Sequence, residues 1–397
     1  MSLNKERTKT VQKPRVVMAM SGGVDSCVAA AVLIEQGYEV IGMTMQLWNH
    51  GDDDVSRFDS CCSLSDVHDA RRTAHMLGIP HYVVNYEKEF KAGVVDYFAS
   101  EYGAGRTPNP CVMCNSKLKF DHLIDRAQAL GAEYVATGHY AILEQSPNGP
   151  VLKRGVDSNK DQSYFLFHVN QKFLPKMLFP LGDWTKPQVR QKAAELGMPT
   201  AKKHESQEIC FVTGKRYSDF LDEYYPEVTA KTGEIVDREG NVLGNHDGIH
   251  LYTVGQRKGL GHLAKTEPLY VEEIDADKNL VIVGKSSDLS VSAFEVANLN
   301  WLTELKEDEE LSVVVRYRAK PVACRVELQD NMAIVHLSQA AKWVTPGQAA
   351  VFYRGDQVVG GGFIAKSSYQ ARGLREAAAA PAAVFQRPRD VGTDVML

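Results

Sequence analysis

No run of about 18 apolar residues occurs anywhere in the 397-residue sequence, which excludes a membrane-spanning helix. The opening segment MSLNKERTKTVQKPR has no apolar core and does not read as a secretory leader. It contains Glu6 and no amphipathic period, which argues against a transit peptide. A positive balance is missing too: 45 Lys and Arg against 50 Asp and Glu give a net charge of −5. That excludes a uniformly basic coat for nucleic acid and leaves local basic patches open. Cysteine is sparse and odd in number, 7 in all. Without a leader, this points to a reducing, cytoplasmic setting, where thiols are fillers, ligands or catalytic groups. There is no internal repeat.

What is present is an ordinary globular composition, 44% hydrophobic and 24% charged, in a chain long enough for two or three domains. The first half alternates apolar strand-like runs with helical periods. RVVMAM (15–20) reads as a buried strand, Val24 to Gln36 as a helix stopped at Gly37, and Tyr38 to Met45 as a second strand. Ser65 to Leu77, Glu87 to Tyr102 and Asn115 to Leu130 read as helices, with strands at Tyr82 to Asn85 and Tyr134 to Thr137. The pattern predicts an α/β fold with a doubly wound parallel sheet, continuing to about Glu195. After residue 213 glycine turns multiply and β-like segments follow: Leu269 to Ile274, Leu280 to Val283, Leu311 to Arg318 and Ala333 to Leu337. These predict two small β domains with a boundary near residues 285–290. The alanine-rich end is expected to be disordered.

Between the first strand and first helix stands Ser21-Gly22-Gly23-Val24-Asp25-Ser26. Two glycines let backbone N–H groups approach an anion, and the helix N-terminus and serine hydroxyls add to the attraction. No Gly-Lys-Ser/Thr follows, so this is not the Walker loop, and no third glycine completes the dinucleotide fingerprint. From the residues alone it is a phosphate loop or a plain capped corner.

Two cysteines lie on the proline-stiffened segment Thr107-Pro108-Asn109-Pro110-Cys111-Val112-Met113-Cys114-Asn115, and Cys210 lies nearly a hundred residues later. A thiol at a helix N-terminus is expected to be acidified. The spacing Cys111-x-x-Cys114 also suits zinc with the adjacent pair Cys61-Cys62, although no second C-x-x-C exists. Inert buried thiols are the third option, and the one taken for Cys27, Cys61, Cys62 and Cys324.

Seven motifs then occur in order: SGGVDS (21–26), RTPNPCVMCN (106–115), ATGHYA (136–141), KDQSYFL (160–166), ESQEICF (205–211), YTVGQRKGL (252–260) and RYR (316–318). SGGVDS resembles the PP-loop of the N-type ATP pyrophosphatases. Together the motifs resemble the bacterial tRNA-specific 2-thiouridylase family from about Val16 to Ile364. The resemblance implies a PP-loop domain over 14–213, a small central β domain over 214–287 and a C-terminal β-barrel that contacts tRNA over 288–367; the composition leaves a disordered tail over 368–397. It implies ATP with Mg²⁺, and sulfur insertion at C2 of the wobble uridine. Cys114 aligns with the nucleophile and Cys210 with the persulfide carrier. Ala19, Met20, Ser21, Gly22, Gly23, Val24, Asp25, Ser26, Met45 and Gly138 align with the ATP site, where Asp25 would help hold Mg²⁺. Asn109, Pro110 and Cys111 align with the target-base segment. His139, Lys160, Asp161, Gln162, Arg316, Tyr317 and Gln348 align with tRNA contacts. The implied partners are a tRNA with a wobble uridine and a sulfur-relay protein or cysteine desulfurase; no membrane is expected for want of a long apolar run, and a monomer because no obvious dimer element appears.

Cys111 departs from the family, some of whose members carry aspartate there. This leaves its role open and admits a 4Fe-4S cluster on Cys111, Cys114 and Cys210. In the persulfide scheme, adenylation turns the uracil O2 into a leaving group. Sulfur from Cys210 then attacks C2, and Cys114 releases the product with formation of a Cys114–Cys210 disulfide. Arg316, Arg318 and Lys320 alternate and, on a strand, would share one face. Lys202-Lys203, Lys215-Arg216 and Arg257-Lys258 are further basic patches. The competing readings are a PP-loop amidating ligase, which needs neither thiol, and a non-catalytic RNA-binding protein with a structural metal.

Overall fold

A computed structural model describes residues 13–48, 64–203, 209–212, 214–229, 231–260, 263, 267–306 and 309–368. Cys61, Cys62, residues 205–208 of the ESQEICF motif and the tail beyond 368 lie outside the described residues.

The run Arg15–Ala19 forms β1, buried on both sides as its unbroken apolar sequence requires. The alanine-rich helix Val24–Glu35 (α1) follows, with nine of its residues buried, and Gly37 at φ +92 ends it. Strands Glu39–Gln46 (β2), His81–Asn85 (β3), Tyr134–Ala136 (β4) and Met177–Leu178 join β1 in a five-stranded parallel sheet. In that sheet β1 lies between β2 and β4, and Met177–Leu178 forms the edge beside β4. The chain turns one way from β1 to β2 and the other way to β4. The crevice at the carboxyl ends of β1 and β4 is therefore a topological switch point, where doubly wound sheets bind ligands.

The expected strand–helix alternation breaks after β4. Residues Ala141–Ser146 (β5) and Gly149–Arg154 (β6) form an antiparallel hairpin. The hairpin leaves the parallel sheet and pairs with the barrel through Lys153 opposite Gln357. A second small sheet of four strands is built from residues 233–284. The final six strands, from Ser290–Trp301 to Gln357–Ser368, close into an antiparallel barrel, because the first and last of them pair.

Two further expectations are corrected. The helix expected to begin at Asn115 begins at Pro110, whose fixed φ suits a first helical position. It runs through a π-helical stretch, Cys114–Phe120, into Asp121–Ala129. Both cysteines are thus on the helix rather than on the loop before it. The strand expected over Leu311 to Arg318 ends at Val314. Arg318 takes φ +63, Ala319 N–H donates to the carbonyl of Arg316 at 2.9 Å, and Pro321 follows; these make a turn, so Arg316, Arg318 and Lys320 share no strand face. One apolar core runs from Val17 and Val135 of the parallel sheet through Tyr164 and Phe167 to Val351 and Phe363 of the barrel.

Candidate active site

The segment 21–26 is fixed from within. Ser26 Oγ donates to the carbonyl of Gly23 (3.0 Å) and accepts from Ser21 N–H (3.1 Å), and Ser21 Oγ accepts from Gly23 N–H at 3.4 Å. Gly22 at φ +73 sits so close to α2 (Leu64–Leu77) that a Cβ would lie 2.1 Å from the Asp66 carbonyl oxygen. From the other strand of the switch point, Gly138 lies against the same loop, where a Cβ would be 2.9 Å from Ser26 N. Both glycines let backbones approach where side chains would collide. Ala19 and Met20 lead into the loop, and Met45 is buried at the end of β2.

Asp25 is not the lone exposed acid of a first helical turn. The Lys186 ammonium donates to both its carboxylate oxygens, at 2.7 and 2.8 Å, and Tyr140 O–H donates to Oδ1 at 2.7 Å. Lys186 opens the helix Lys186–Glu195 and is 7% exposed. Sequence reasoning passed over Lys186 and Tyr140. A signal was available for the lysine: a cation at the first position of a helix opposes the macrodipole, so helix stability does not account for it. Lys203, expected as a solvated patch, donates from beneath the loop to the Gly22 carbonyl (3.2 Å) and to Asp66 and Asp69 (2.6 Å each). Lys215 and Arg216 pair with Glu223 and Asp219.

The thiols gather on the neighbouring face. Cys111 is exposed near the start of its helix, and Cys114, one turn on, is 7% exposed. Cys114 belongs to an apolar cluster with Met45, Phe90, Phe98 and Phe211, and Cys210 packs against that same cluster. The chain therefore brings Cys114 and Cys210, far apart in sequence, to one cluster whose Met45 ends the strand beside β1. Among the described residues, no group of three Cys, His, Asp or Glu stands where it could hold a metal ion. Cys111 faces solvent while Cys114 is buried, and Cys61 and Cys62, which the zinc reading adds, lie outside the described residues. Cys27 and Cys324 are buried, and burial pushes both thiols up, Cys324 to about 12.

The helix entry is held from three directions. Asn109 is 8% exposed and hydrogen-bonds the Tyr164 hydroxyl, which itself donates to the Ala349 carbonyl at 2.9 Å. Pro110 is buried behind it. Gln348, one of the residues expected to contact tRNA, donates to the carbonyls of Thr107 and Pro108. Asn115 is buried beside Cys114 and donates to the Phe165 carbonyl at 3.2 Å.

The remaining expected tRNA residues divide into two groups. Tyr317 lies against Phe165 with ring centroids 4.5 Å apart, and Arg318 donates to the Asn159 carbonyl at 3.2 Å. This brings exposed Arg316 and half-buried Lys160 into one neighbourhood. Asp161, by contrast, is buried and accepts from Gly155 N–H, Ser163 N–H and Ser163 O–H at 3.0–3.1 Å. Gln162 braces Tyr140 through two hydrogen bonds, side chain to backbone (3.0 Å) and backbone to backbone (2.9 Å). His139 Nδ1 is 2.7 Å from Thr137 Oγ1, and burial holds its imidazole well below the ordinary value.

Residues 14–214 match a family model described as the tRNA methyl transferase HUP domain. Residues 218–285 match the tRNA methyl transferase PRC-barrel domain, and 291–364 the aminomethyltransferase beta-barrel domain. The tRNA-specific 2-thiouridylase MnmA of Geotalea uraniireducens is 51% identical over 362 residues, covering 90% of this chain and 96% of that protein. Those of Geobacter metallireducens and Magnetococcus marinus are each 50% identical, over 89% of this chain and 97% and 99% of theirs.

Proposed function

Because the chain belongs to the family of tRNA-specific 2-thiouridylases, we propose that it is an ATP-dependent tRNA sulfurtransferase that converts the wobble uridine to 2-thiouridine. The observation that supports the mechanism is that Cys114 and Cys210 share one apolar cluster with Met45, on the strand that pairs with β1, and β1 leads into the loop 21–26. An amidating ligase has no use for that thiol pair.

In this reading the loop 21–26 takes the triphosphate of Mg-ATP, and the uracil O2 attacks the α-phosphorus. Pyrophosphate leaves, and the adenylated carbon becomes an electrophile. The outer sulfur of a persulfide on Cys210 attacks C2 and AMP departs. Cys114 then attacks the inner sulfur, releasing 2-thiouridine and leaving a Cys114–Cys210 disulfide. The apolar wall around Cys114 excludes water that would hydrolyse the adenylate. The target base leaves the anticodon stack to reach Asn109–Cys111, at a cost of a few kcal/mol. Arg316, Lys160 and Arg318 supply phosphate contacts, Tyr317 orients them, and Asp161 and Gln162 act from behind by fixing the 157–163 loop. A cysteine desulfurase or relay protein recharges Cys210, and the chain works as a cytoplasmic monomer. Among the described residues, no helix is long and apolar enough to cross a membrane.

The test is anaerobic incubation with unmodified tRNA, Mg-ATP and a desulfurase with cysteine, followed by nucleoside mass spectrometry and pyrophosphate assay. Wild type is expected to yield 2-thiouridine. Cys210→Ser and Cys114→Ser are expected to release pyrophosphate and yield none. Thiolated product from Cys210→Ser, or none from wild type with any wobble-uridine tRNA, overturns the reading.

A further inference from the structure

Lys186 is a charged side chain held almost wholly inside the protein at the crevice where the parallel sheet reverses. Its ammonium meets both oxygens of Asp25, a residue of the phosphate loop itself, and stands 5.9 Å from the centre of the Tyr140 ring. Three separate elements converge there: α1, the segment after β4 and the helix Lys186–Glu195. The lysine's placement costs its own helix, whose N-terminus repels a cation. Its backbone N–H is secured by the Asp157 side chain at 2.9 Å, and Thr185 and Gln188 form a capping box around the same turn. The base of this side chain is therefore fixed while its tip lies at the loop. Asp25 remains about one-third exposed, so the pair borders the open crevice rather than the closed core.

We infer that Lys186 is a catalytic residue that binds the β- and γ-phosphates of ATP, with Asp25 as its counter-ion until the nucleotide arrives. The inference rests on the adenylating function proposed above and adds a residue to it. An incoming triphosphate carries several negative charges to the N-terminus of α1. The ammonium exchanges one oxygen anion for another within the same few ångströms, and Asp25 turns to the Mg²⁺ that accompanies the nucleotide. During adenylation the uracil O2 lone pair forms the bond to the α-phosphorus. The bond from that phosphorus to the bridging oxygen breaks with its electron pair on the departing pyrophosphate, and the N3 proton goes to water. Lys186 neutralises the charge that grows on the leaving group, where a preorganised cation is most effective.

The experiment compares equilibrium binding of Mg-ATP and of AMP, without tRNA or sulfur donor, in wild type, Lys186→Met and Lys186→Arg. Lys186→Met is expected to weaken ATP at least 10-fold and AMP less than 2-fold, since only the β- and γ-phosphates lose a partner. Lys186→Arg is expected to keep most of the preference for ATP. Equal effects on both nucleotides, or none, overturn the inference and leave Lys186 as a brace for Asp25. If Lys186→Met fails to fold, the wild-type protein gives the answer through the ¹⁵N resonance of its Lys186 ammonium, assigned by its absence in Lys186→Arg. A shift with inorganic pyrophosphate and ATP but not with AMP supports the inference, and no shift overturns it. A wild type that binds ATP but thiolates no tRNA would sink the proposed function and leave this result standing.

Discussion

The side-chain amide of Gln348 reaches from the barrel to the carbonyl of Thr107, 3.0 Å away, and is shared with Pro108 at 3.2 Å. Thr107 N–H answers by donating to the Pro346 carbonyl at 2.8 Å, and Gly347 at φ +88 leaves no room there for a Cβ. The C-terminal barrel thus sets where the cysteine-bearing helix begins.

Gln348→Ala removes two such bonds, at about 0.5–1.5 kcal/mol each. The expected result is a fall of roughly 10-fold or more in kcat/KM for thiolation, with ATP affinity unchanged. Steady-state thiolation beside nucleotide titration checks it, and an equal loss in both would contradict the assignment.

Gly138→Ala places a methyl group 2.9 Å from Ser26 N and 3.0 Å from the Asp25 carbonyl carbon. Neither is the end of a flexible side chain, so the phosphate loop must move. A loss of ATP affinity of at least ~10-fold, about 1.4 kcal/mol, is expected with the fold retained. Calorimetric titration and a thermal melt distinguish this from general unfolding.

Lys203→Met deprives Asp66 and Asp69 of their shared ammonium and the Gly22 carbonyl of a donor. The site is partly open to water, so the cost is placed at about 2 kcal/mol, below that of a fully buried pair. Urea denaturation measures it; an unchanged midpoint would show that the cluster contributes nothing.

Burial pushes the His168 imidazole down to about 4, and its Nδ1 finds no hydrogen-bond partner. In the unfolded chain it titrates near ~6.5. Between these values the unfolded state binds the extra proton, so stability is full above the unfolded value and declines as pH falls toward the folded one. The loss amounts to ~3 kcal/mol at the acid end. His168→Phe, set among Phe167 and Phe363, should flatten that decline. Denaturation midpoints near neutrality and at mildly acidic pH should show a smaller gap in the variant than in wild type.

The strand–loop–helix corner at residues 15–37 was legible because every local signal agreed: an apolar run, paired glycines, a helical period and a stop glycine. The order of motifs pointed to the family. What escaped the sequence depends on residues that meet only in space. Lys186 looked like any lysine, since its meaning lies in an aspartate 161 positions away. Asp161 and Gln162 sit in a polar motif and read as tRNA contacts; that they also brace a loop by hydrogen bonds was not legible there. Arg318 looked strand-like because alternation is a good signal only while φ stays negative. Nothing in the spacing of Cys114 and Cys210 says that one aromatic cluster receives both.

The hairpin β5–β6 and the turn after it lodge in a sheet made from the far end of the chain. Ser163 meets Tyr353 across 190 positions and Tyr164 meets Ala349 across 185. A ribosome adding about 5–20 residues per second takes on the order of 10–40 s to deliver those partners. Until then, the segment that braces Tyr140, and through it Asp25, has no wall to lean on. A nascent or prematurely ended chain therefore lacks the residues against which this brace of the phosphate loop rests.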